Sequence, residues 1–378
     1  MRIVVATDSF KGTLRASEAC WIIADAIARR LPDVELVVRP LADGGEGTAE
    51  AMMAAGDGRW VPRAVMGPLP DMRVEAGFAW FDADRTAVVE MASASGLELL
   101  SPGQMNPLWT TTCGTGQLIR YAAEYGAAEI LLAVGGSATV DGGVGAARAL
   151  GWQFLDSDGQ PVPLGGGGLS QITRILPPEG LHLPPVRVLC DVENPLCGPQ
   201  GAARVYAPQK GADAAMVEQL EHGLEHLAGL VATQTGAQIA DLAGGGAAGG
   251  LAAGAVAFMN GTIVSGIETV LAHSGLAEDL PSCDWIITGE GSFDGQSLQG
   301  KVVSGVARMA RRFGVRVAVI AGQVRVLRSV YRAAGITAAL ACKTDDMTID
   351  YAIGHAGDCL RAAADRFATQ WLDGPPAG

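Results

Sequence analysis

Three short apolar runs in this chain each end in a loop of glycine, carboxylate and hydroxyl residues. Residues 2–7 lead into Asp8-Ser9-Phe10-Lys11-Gly12-Thr13, and residues 35–41 into Ala42-Asp43-Gly44-Gly45-Glu46-Gly47-Thr48. Residues 284–287 lead into Thr288-Gly289-Glu290-Gly291-Ser292-Phe293-Asp294-Gly295-Gln296-Ser297. A helical pattern follows each loop. Short continuous apolar runs suit strands buried on both faces, so the repeat predicts a parallel α/β sheet. In such sheets the loops at the carboxyl ends of the strands converge on a crevice. Glycine lets the backbone approach a ligand there. Glu290 and Asp294 are suited to a cation, and Lys301 just downstream to an anion.

The rhythm breaks in the middle of the chain. Residues 59–66, 74–81 and 86–91 read as strands joined by the short turns Pro68-Leu69-Pro70-Asp71 and Asp82-Ala83-Asp84, a meander rather than a βα repeat. From residue 281 the βα rhythm resumes, with a strand at 315–320 and a long closing helix at 347–371. The expected organisation is a discontinuous domain, residues 1–59 and 281–378, around an inserted domain, residues 60–280, with the site in the cleft between them. A chain of 378 residues, 49% hydrophobic, can bury two such cores. Several helix limits are also predicted. Ser17 caps a helix through Arg30, Gly116 begins one to Tyr125, Asp213 caps one to Thr235, and the Gly/Ala run at 244–250 leads another.

Composition excludes some partners. The net charge of -13 argues against nucleic acid and anionic membrane, although a local basic cluster still permits an anionic substrate. The seven cysteines are scattered and odd in number, which predicts a reduced, cytoplasmic protein. The start runs too soon into Thr7-Asp8 for a signal peptide, and the Gly/Ala-rich run at 244–259 is shorter than the roughly 20 residues a membrane helix needs. The chain has only four lysines, at 11, 210, 301 and 343, and the first three lie beside glycine. Glycine-rich loops that keep lysine while the surface uses arginine point to a need for compact positive charge.

Further loops carry candidate chemistry. Thr110-Thr111-Thr112-Cys113-Gly114-Thr115-Gly116-Gln117 opens a helix, where free N–H groups make an anion site. Gly135-Gly136-Ser137-Ala138-Thr139 and Cys190-Asp191-Val192-Glu193-Asn194-Pro195-Leu196 each follow a predicted strand. The five histidines (182, 222, 226, 273 and 355) lie away from these loops, which removes zinc and histidine-triad chemistry. No P-loop pattern is present, and isolated Gly-x-Gly fragments do not make a dinucleotide site. What remains suits phosphoryl transfer: lysine and glycine N–H groups for phosphate, carboxylates for Mg2+, and one aspartate to orient a hydroxyl. On the residues alone, a metal-dependent phosphatase or a two-lobed sugar-acid binding protein stays open beside a kinase.

Seven of these motifs, in order and with similar spacing over residues 1–370, resemble the bacterial glycerate kinases that form 2-phosphoglycerate. They are Asp8-Ser-Phe-Lys11, Asp43-Gly-Gly-Glu-Gly-Thr48, Gly114-Thr-Gly116, Gly135-Gly-Ser-Ala-Thr139, Cys190-Asp-Val-Glu-Asn-Pro-Leu196, Pro208-Gln-Lys-Gly211 and Thr288-Gly-Glu-Gly-Ser-Phe-Asp294-Gly-Gln-Ser297. The resemblance implies a flavodoxin-like domain and a mixed-sheet α/β domain. It also implies ATP- and Mg2+-dependent phosphorylation of (R)-glycerate; on physical grounds 3-phosphoglycerate stays open as the product, since both hydroxyls are within reach of a small cleft, and a homodimer is a candidate assembly. It implies catalytic roles for Asp191, Lys11, Asp8 and Ser9. Asp43, Glu46, Thr48, Asn194, Thr139 and Ser137 then bind substrate. Gly114, Thr115, Gly116, Lys210, Gly289, Gly291, Ser297 and Lys301 bind nucleotide, and Glu290 and Asp294 take metal. Phe10 stands where relatives also have tyrosine, and Cys113 where an arginine or serine is expected. Arg63, Arg73 and Arg204 are the candidates to supply a missing positive charge.

Overall fold

The computed structural model describes residues 1–180 and 182–372. The chain divides into two compact units, one formed by Met1–Asp43, Glu50–Asp57 and the residues from Ile267 onward, the other by Gly44–Ala49 and Gly58–Gly266.

The first unit is built on five parallel strands. In space they run Glu35–Val38, Arg2–Val5, Trp285–Thr288, Arg316–Ala321, Ile336–Ala341. Numbered in chain order this is 2-1-3-4-5, the flavodoxin-like order, with its switch point between Arg2–Val5 and Trp285–Thr288. Ile3 lies opposite Trp285 and Val5 opposite Ile287. Helices cover both faces, so the central strands show no alternation: Ile3, Val4, Val5, Ile286 and Ile287 are all fully buried. Ala16–Arg30 and Ala356–Trp371 close one face, where Ile23, Ile27 and Phe367 pack against Trp285. Val302–Phe313 and Gly266–His273 close the other, where Val303, Val306 and Ile267 meet Ile286.

The second unit holds a six-stranded mixed sheet, ordered Gly261–Val264, Val186–Leu189, Glu129–Ala133, Thr86–Glu90, Arg73–Phe81, Arg59–Met66. The last three strands form the antiparallel meander expected from the sequence, and the rest pair in parallel. The strand Gly261–Val264 and the helix after it, absent from the sequence reading, occupy a stretch whose glycines and single hydroxyls blur its period.

Several helix limits move. The first helix begins at Ala16, with the Glu18 carboxylate accepting from the Arg15 N–H at 3.0 Å. Ser17 lies inside it and donates instead to Glu50 at 2.5 Å. The helix expected from Gly116 starts at Cys113, because the Asp141 carboxylate accepts from the N–H of Thr112, the residue before it, at 2.8 Å. The Gly/Ala helix keeps its expected place, starting at Leu251 directly after the run 244–250. The closing helix is interrupted: Thr348 caps Ile349–Gly354 through the Tyr351 N–H, His355 leaves helical geometry, and Ala356–Trp371 follows. Gly354, the weakest helix former in that stretch, sits at the break. Asp213 caps Ala214–Gln234 through the Met216 N–H, as its sequence implies. Among the described residues no helix is long and apolar enough to cross a membrane.

Candidate active site

In the first unit a cavity of about 340 Å³ opens at the carboxyl ends of the parallel strands. Every strand delivers residues to it: Asp8, Ser9, Lys11 and Thr13 follow the first, Asp43 the second, and Glu290, Gly291, Ser292 and Asp294 the third. Gly322 and Gln323, then Cys342 and Lys343, follow the last two. The Asp8 N–H donates to the Gly289 carbonyl at 2.9 Å, which ties the two loops at the switch point together. The Asp8 carboxylate accepts from the Ser9 N–H at 2.7 Å.

Crowded carboxylates in a closed space are hard to ionise. Burial, and next the charge of Asp43, push Asp8 up to about 7, against the Ser9 N–H and Lys11. Burial likewise raises Glu290, helped by Asp294 and Asp43 and opposed by Ser297 and Lys301. Thr288 Oγ1, Glu290 Oε1 and Ser292 Oγ are buried without a hydrogen-bond partner. Of these three residues, Glu290 and Ser292 line the cavity. Orphaned buried oxygens are rare in folded proteins and mark places where a ligand or ion completes the bonding.

The neighbouring groups have other work. Ser297 Oγ accepts from the Asp294 N–H at 3.0 Å and donates to the Ser292 carbonyl at 3.2 Å, holding the loop's shape. Asp294 accepts from the Gln296 N–H at 2.9 Å. Gly289 packs against the next strand: a Cβ there would lie 1.9 Å from the Ile320 carbonyl oxygen. Lys301 immediately precedes the helix Val302–Phe313 and lines the cavity.

The second unit carries its own polar groups. At the threonine-rich loop foreseen as an anion site, a carboxylate of the protein itself takes the Thr112 N–H. Asp141, fully buried, accepts from the N–H groups of Thr112, Gly143 and Gly145 at 2.8, 3.1 and 3.2 Å and from the Thr112 hydroxyl. Burial raises its carboxyl, and these donors oppose the rise. Sequence reasoning missed Asp141, although it stands in the glycine loop 135–143, one residue before two glycines. Gly114 and Gly116 lie inside the helix, where a Cβ would meet the Met66 and Ala146 carbonyl oxygens at 1.9 and 2.3 Å. Their missing side chains serve helix packing. Thr115 donates to Ser95 at 2.9 Å.

Lys210 is buried, and its ammonium donates to Ser137 Oγ at 2.6 Å and the Thr139 carbonyl at 2.8 Å. Burial pulls it down to about 7. Thr139 Oγ1 is buried without a partner. Asp191 accepts from Ser265 Oγ at 2.7 Å and the Gly266 N–H at 3.1 Å. Asn194 bridges its own loop, donating to the Gln200 carbonyl and accepting from Tyr206. Thr48 donates to the Gly45 carbonyl, and Glu46 lies near Gly136. Of the candidate arginines, Arg204 is paired with Glu218, Arg63 lies over the Tyr121 ring, and Arg73 donates to the Met72 carbonyl.

Thus the structure brings Asp8, Ser9, Lys11, Asp43, Glu290, Gly291, Asp294 and Lys301 around one cavity. Gly289 and Ser297 support it from behind. Asp191, Asn194, Ser137, Thr139, Lys210, Glu46, Thr48 and Gly114–Gly116 belong to the second unit.

The sequence model of the glycerate kinase family matches residues 3–372. An uncharacterized protein of Synechocystis is 46% identical over 360 residues, 95% of each chain. The glycerate 2-kinase of Escherichia coli K12 is 41% identical over 372 residues, 97% of each chain. A crystal structure described as glycerate kinase 2 of Salmonella typhimurium LT2 superposes with a TM-score of 0.82 at 40% identity, covering 98% of this chain and 97% of that one.

Proposed function

We propose, for a chain that belongs to the glycerate kinase family, transfer of the terminal phosphate of ATP to the 2-hydroxyl of (R)-glycerate in the cytoplasm. The observation that carries this reading is the pair of unpartnered buried oxygens on Glu290 and Ser292, two residues of a cavity lining that also includes Lys11 and Lys301. Carboxylates and lysines in one closed space suit a polyanion that arrives with a divalent cation.

The donor set fits Mg2+. It consists of oxygens alone, and Glu290 Oε1 lacks a partner. Among the described residues no group of three or more histidine, cysteine, aspartate or glutamate side chains is placed to hold a metal ion by itself. Mg2+ suits such a site, since it keeps several waters and binds through one or two carboxylates plus substrate phosphates. Glu290 and Asp294 would hold it, and it would offset negative charge on the phosphates and on the group in transfer.

The chain's own residues supply the rest. Lys11 and Lys301 neutralise phosphate charge, while the Ser9 hydroxyl and the Gly291 backbone offer it hydrogen bonds. Burial and the charge of Asp43 raise Asp8 while Lys11 opposes them, so the ionisation of Asp8 depends on nearby positive charge. Asp191 accepts the proton of the attacking hydroxyl, its carboxylate oriented by Ser265 and Gly266. Asp43, Glu46, Thr48, Asn194, Thr139 and Ser137 recognise glycerate or shape the loops that do. Lys210, Gly114, Thr115 and Gly116 act as supports for those loops.

Coupled ADP release with glycerate, tartronate and lactate tests the reading, followed by phosphorus NMR of the product. Glycerate-dependent ADP release and a 2-phosphoglycerate resonance are expected. A 3-phosphoglycerate resonance would correct the position, phosphate release without glycerate would replace kinase by phosphatase, and glycerate binding without turnover would leave a binding protein.

A further inference from the structure

We infer that the apolar end of the first unit's cavity receives the nucleobase of the phosphate donor, against a wall made by Ile349, Ala352, Ile353 and Ala356. This rests on the kinase reading for its ligand and on the shape of the cavity for its location.

Within the helix Ile349–Gly354 the positions 349, 352 and 353 are i, i+3 and i+4, an apolar stripe of the kind a helix ordinarily turns toward a core. Here it does not reach one. No residue of Ile349–Gly354 is buried, and Ile349 and Ile353 are 49% and 53% exposed. Both line the cavity, and the lining continues past the break at His355 through Ala356 and Cys359. Phe10 and Cys342 add apolar surface to the same cavity.

The rest of the lining has the opposite chemistry. Three of the chain's four lysines, Lys11, Lys301 and Lys343, line this one cavity together with its carboxylates. A ligand that satisfies both parts joins a polyanionic group to an apolar one. A three-carbon hydroxy acid has no apolar surface to set against two isoleucines. A cavity of about 340 Å³ also falls in the range of about 300–1,000 Å³ that encloses ligands far larger than such an acid. A nucleoside polyphosphate meets each requirement. Lys343, which the sequence motifs left without a role, then joins Lys11 and Lys301 as a phosphate contact.

ADP and pyrophosphate share the anionic part and differ in the nucleoside, so titration calorimetry with each separates the two ends. The full-length chain is compared with the double variant Ile349→Asn/Ile353→Asn, whose half-exposed positions tolerate a polar side chain. ADP affinity is expected to fall at least about tenfold, the scale of burying one large aliphatic side chain, with pyrophosphate affinity changed less than about twofold. Unchanged ADP affinity, or equal losses for both ligands, would overturn the inference. So would a parent chain that binds ADP no better than pyrophosphate. Glycerate-dependent turnover of the parent chain is scored separately: its absence with the ADP selectivity intact would remove the kinase reading and leave the nucleotide wall standing.

Discussion

The backbone N–H of Asp8 donates to the carbonyl oxygen of Gly289 over 2.9 Å, just beyond the last paired residues of two neighbouring parallel strands. That bond holds a buried carboxylate at the switch point of the sheet, where Asp43 and Glu290 also act on its charge.

The buried position of Asp8 makes stability depend on pH. Its carboxyl is raised from 3.8 to about 7, so between those values the unfolded chain releases a proton that the folded chain keeps. The contribution is therefore lost as pH rises from about 4 to about 7, with a ceiling of roughly 4 kcal/mol for a shift of that size. Asp8→Asn is expected to be more stable than the parent at pH 8, with the gap closing toward pH 4. Urea denaturation at the two pH values measures it, and a gap that is constant or wider at pH 4 would contradict the buried, crowded carboxyl.

Gly289 leaves no space for a side chain, since a Cβ would sit 1.9 Å from the Ile320 carbonyl oxygen, a backbone atom of the adjacent strand. Gly289→Ala should cost about 3 kcal/mol or more, or prevent folding, because neither strand can yield without breaking sheet pairing. A melting temperature equal to the parent's would show that the close approach is not there.

Lys210 titrates in the other direction. Burial lowers it from 10.5 to about 7, so the unfolded chain binds the extra proton over that window and stability from this group rises with pH. Replacing it by methionine also strands the Ser137 hydroxyl and the Thr139 carbonyl, at about 1–3 kcal/mol for each unsatisfied group. Lys210→Met should be less stable than the parent at pH 7, by a margin that widens toward pH 10. A margin that shrinks with pH would mean the lysine is charged when folded.

Asp191→Asn keeps the shape of the side chain and a hydrogen-bonding oxygen for Ser265 and Gly266, but removes the base. Turnover should fall at least about 100-fold, with an unchanged melting temperature and little change in the KM for glycerate. Near-parental turnover would remove Asp191 from proton transfer.

Lys301→Ala should raise the KM for ATP or lower kcat/KM for it by tenfold or more, the loss of one desolvated charged contact of about 1.5–3 kcal/mol, and leave the KM for glycerate close to the parent's. Steady-state constants varied against ATP give the answer. No change would reduce Lys301 to its place before the helix Val302–Phe313.

Much of the fold was legible because its signals are local. Apolar runs as short as those at 2–7 and 284–287, each ending in a glycine loop, suit strands buried on both faces, and the short turns at 68–71 and 82–84 suit a meander. The motif order carried the family, which the match over residues 3–372 bears out. Helix limits were less legible. Asp141 starts a helix at Cys113 from 28 residues away in sequence, and no local pattern at Gly116 announces that.

The site divides in the same way. Residue types and spacing marked the loops at Asp8, Asp43 and Glu290 as places for anions and cations, since glycine, carboxylate and lysine have few other reasons to gather at strand ends. Which groups face an open cavity, and which are spent inside the protein, depends on burial and partners that only packing creates. Lys210 and Lys301 look alike in sequence, each beside glycine, yet one gives its protons to Ser137 and Thr139 while the other lines a cavity. The glycines at 114 and 116 resemble a phosphate loop, yet their absent side chains admit the backbones of Met66 and Ala146. Chemistry is carried by single residues and can be read one at a time. Exposure is a property of the neighbours, and these come from strands far away in the chain.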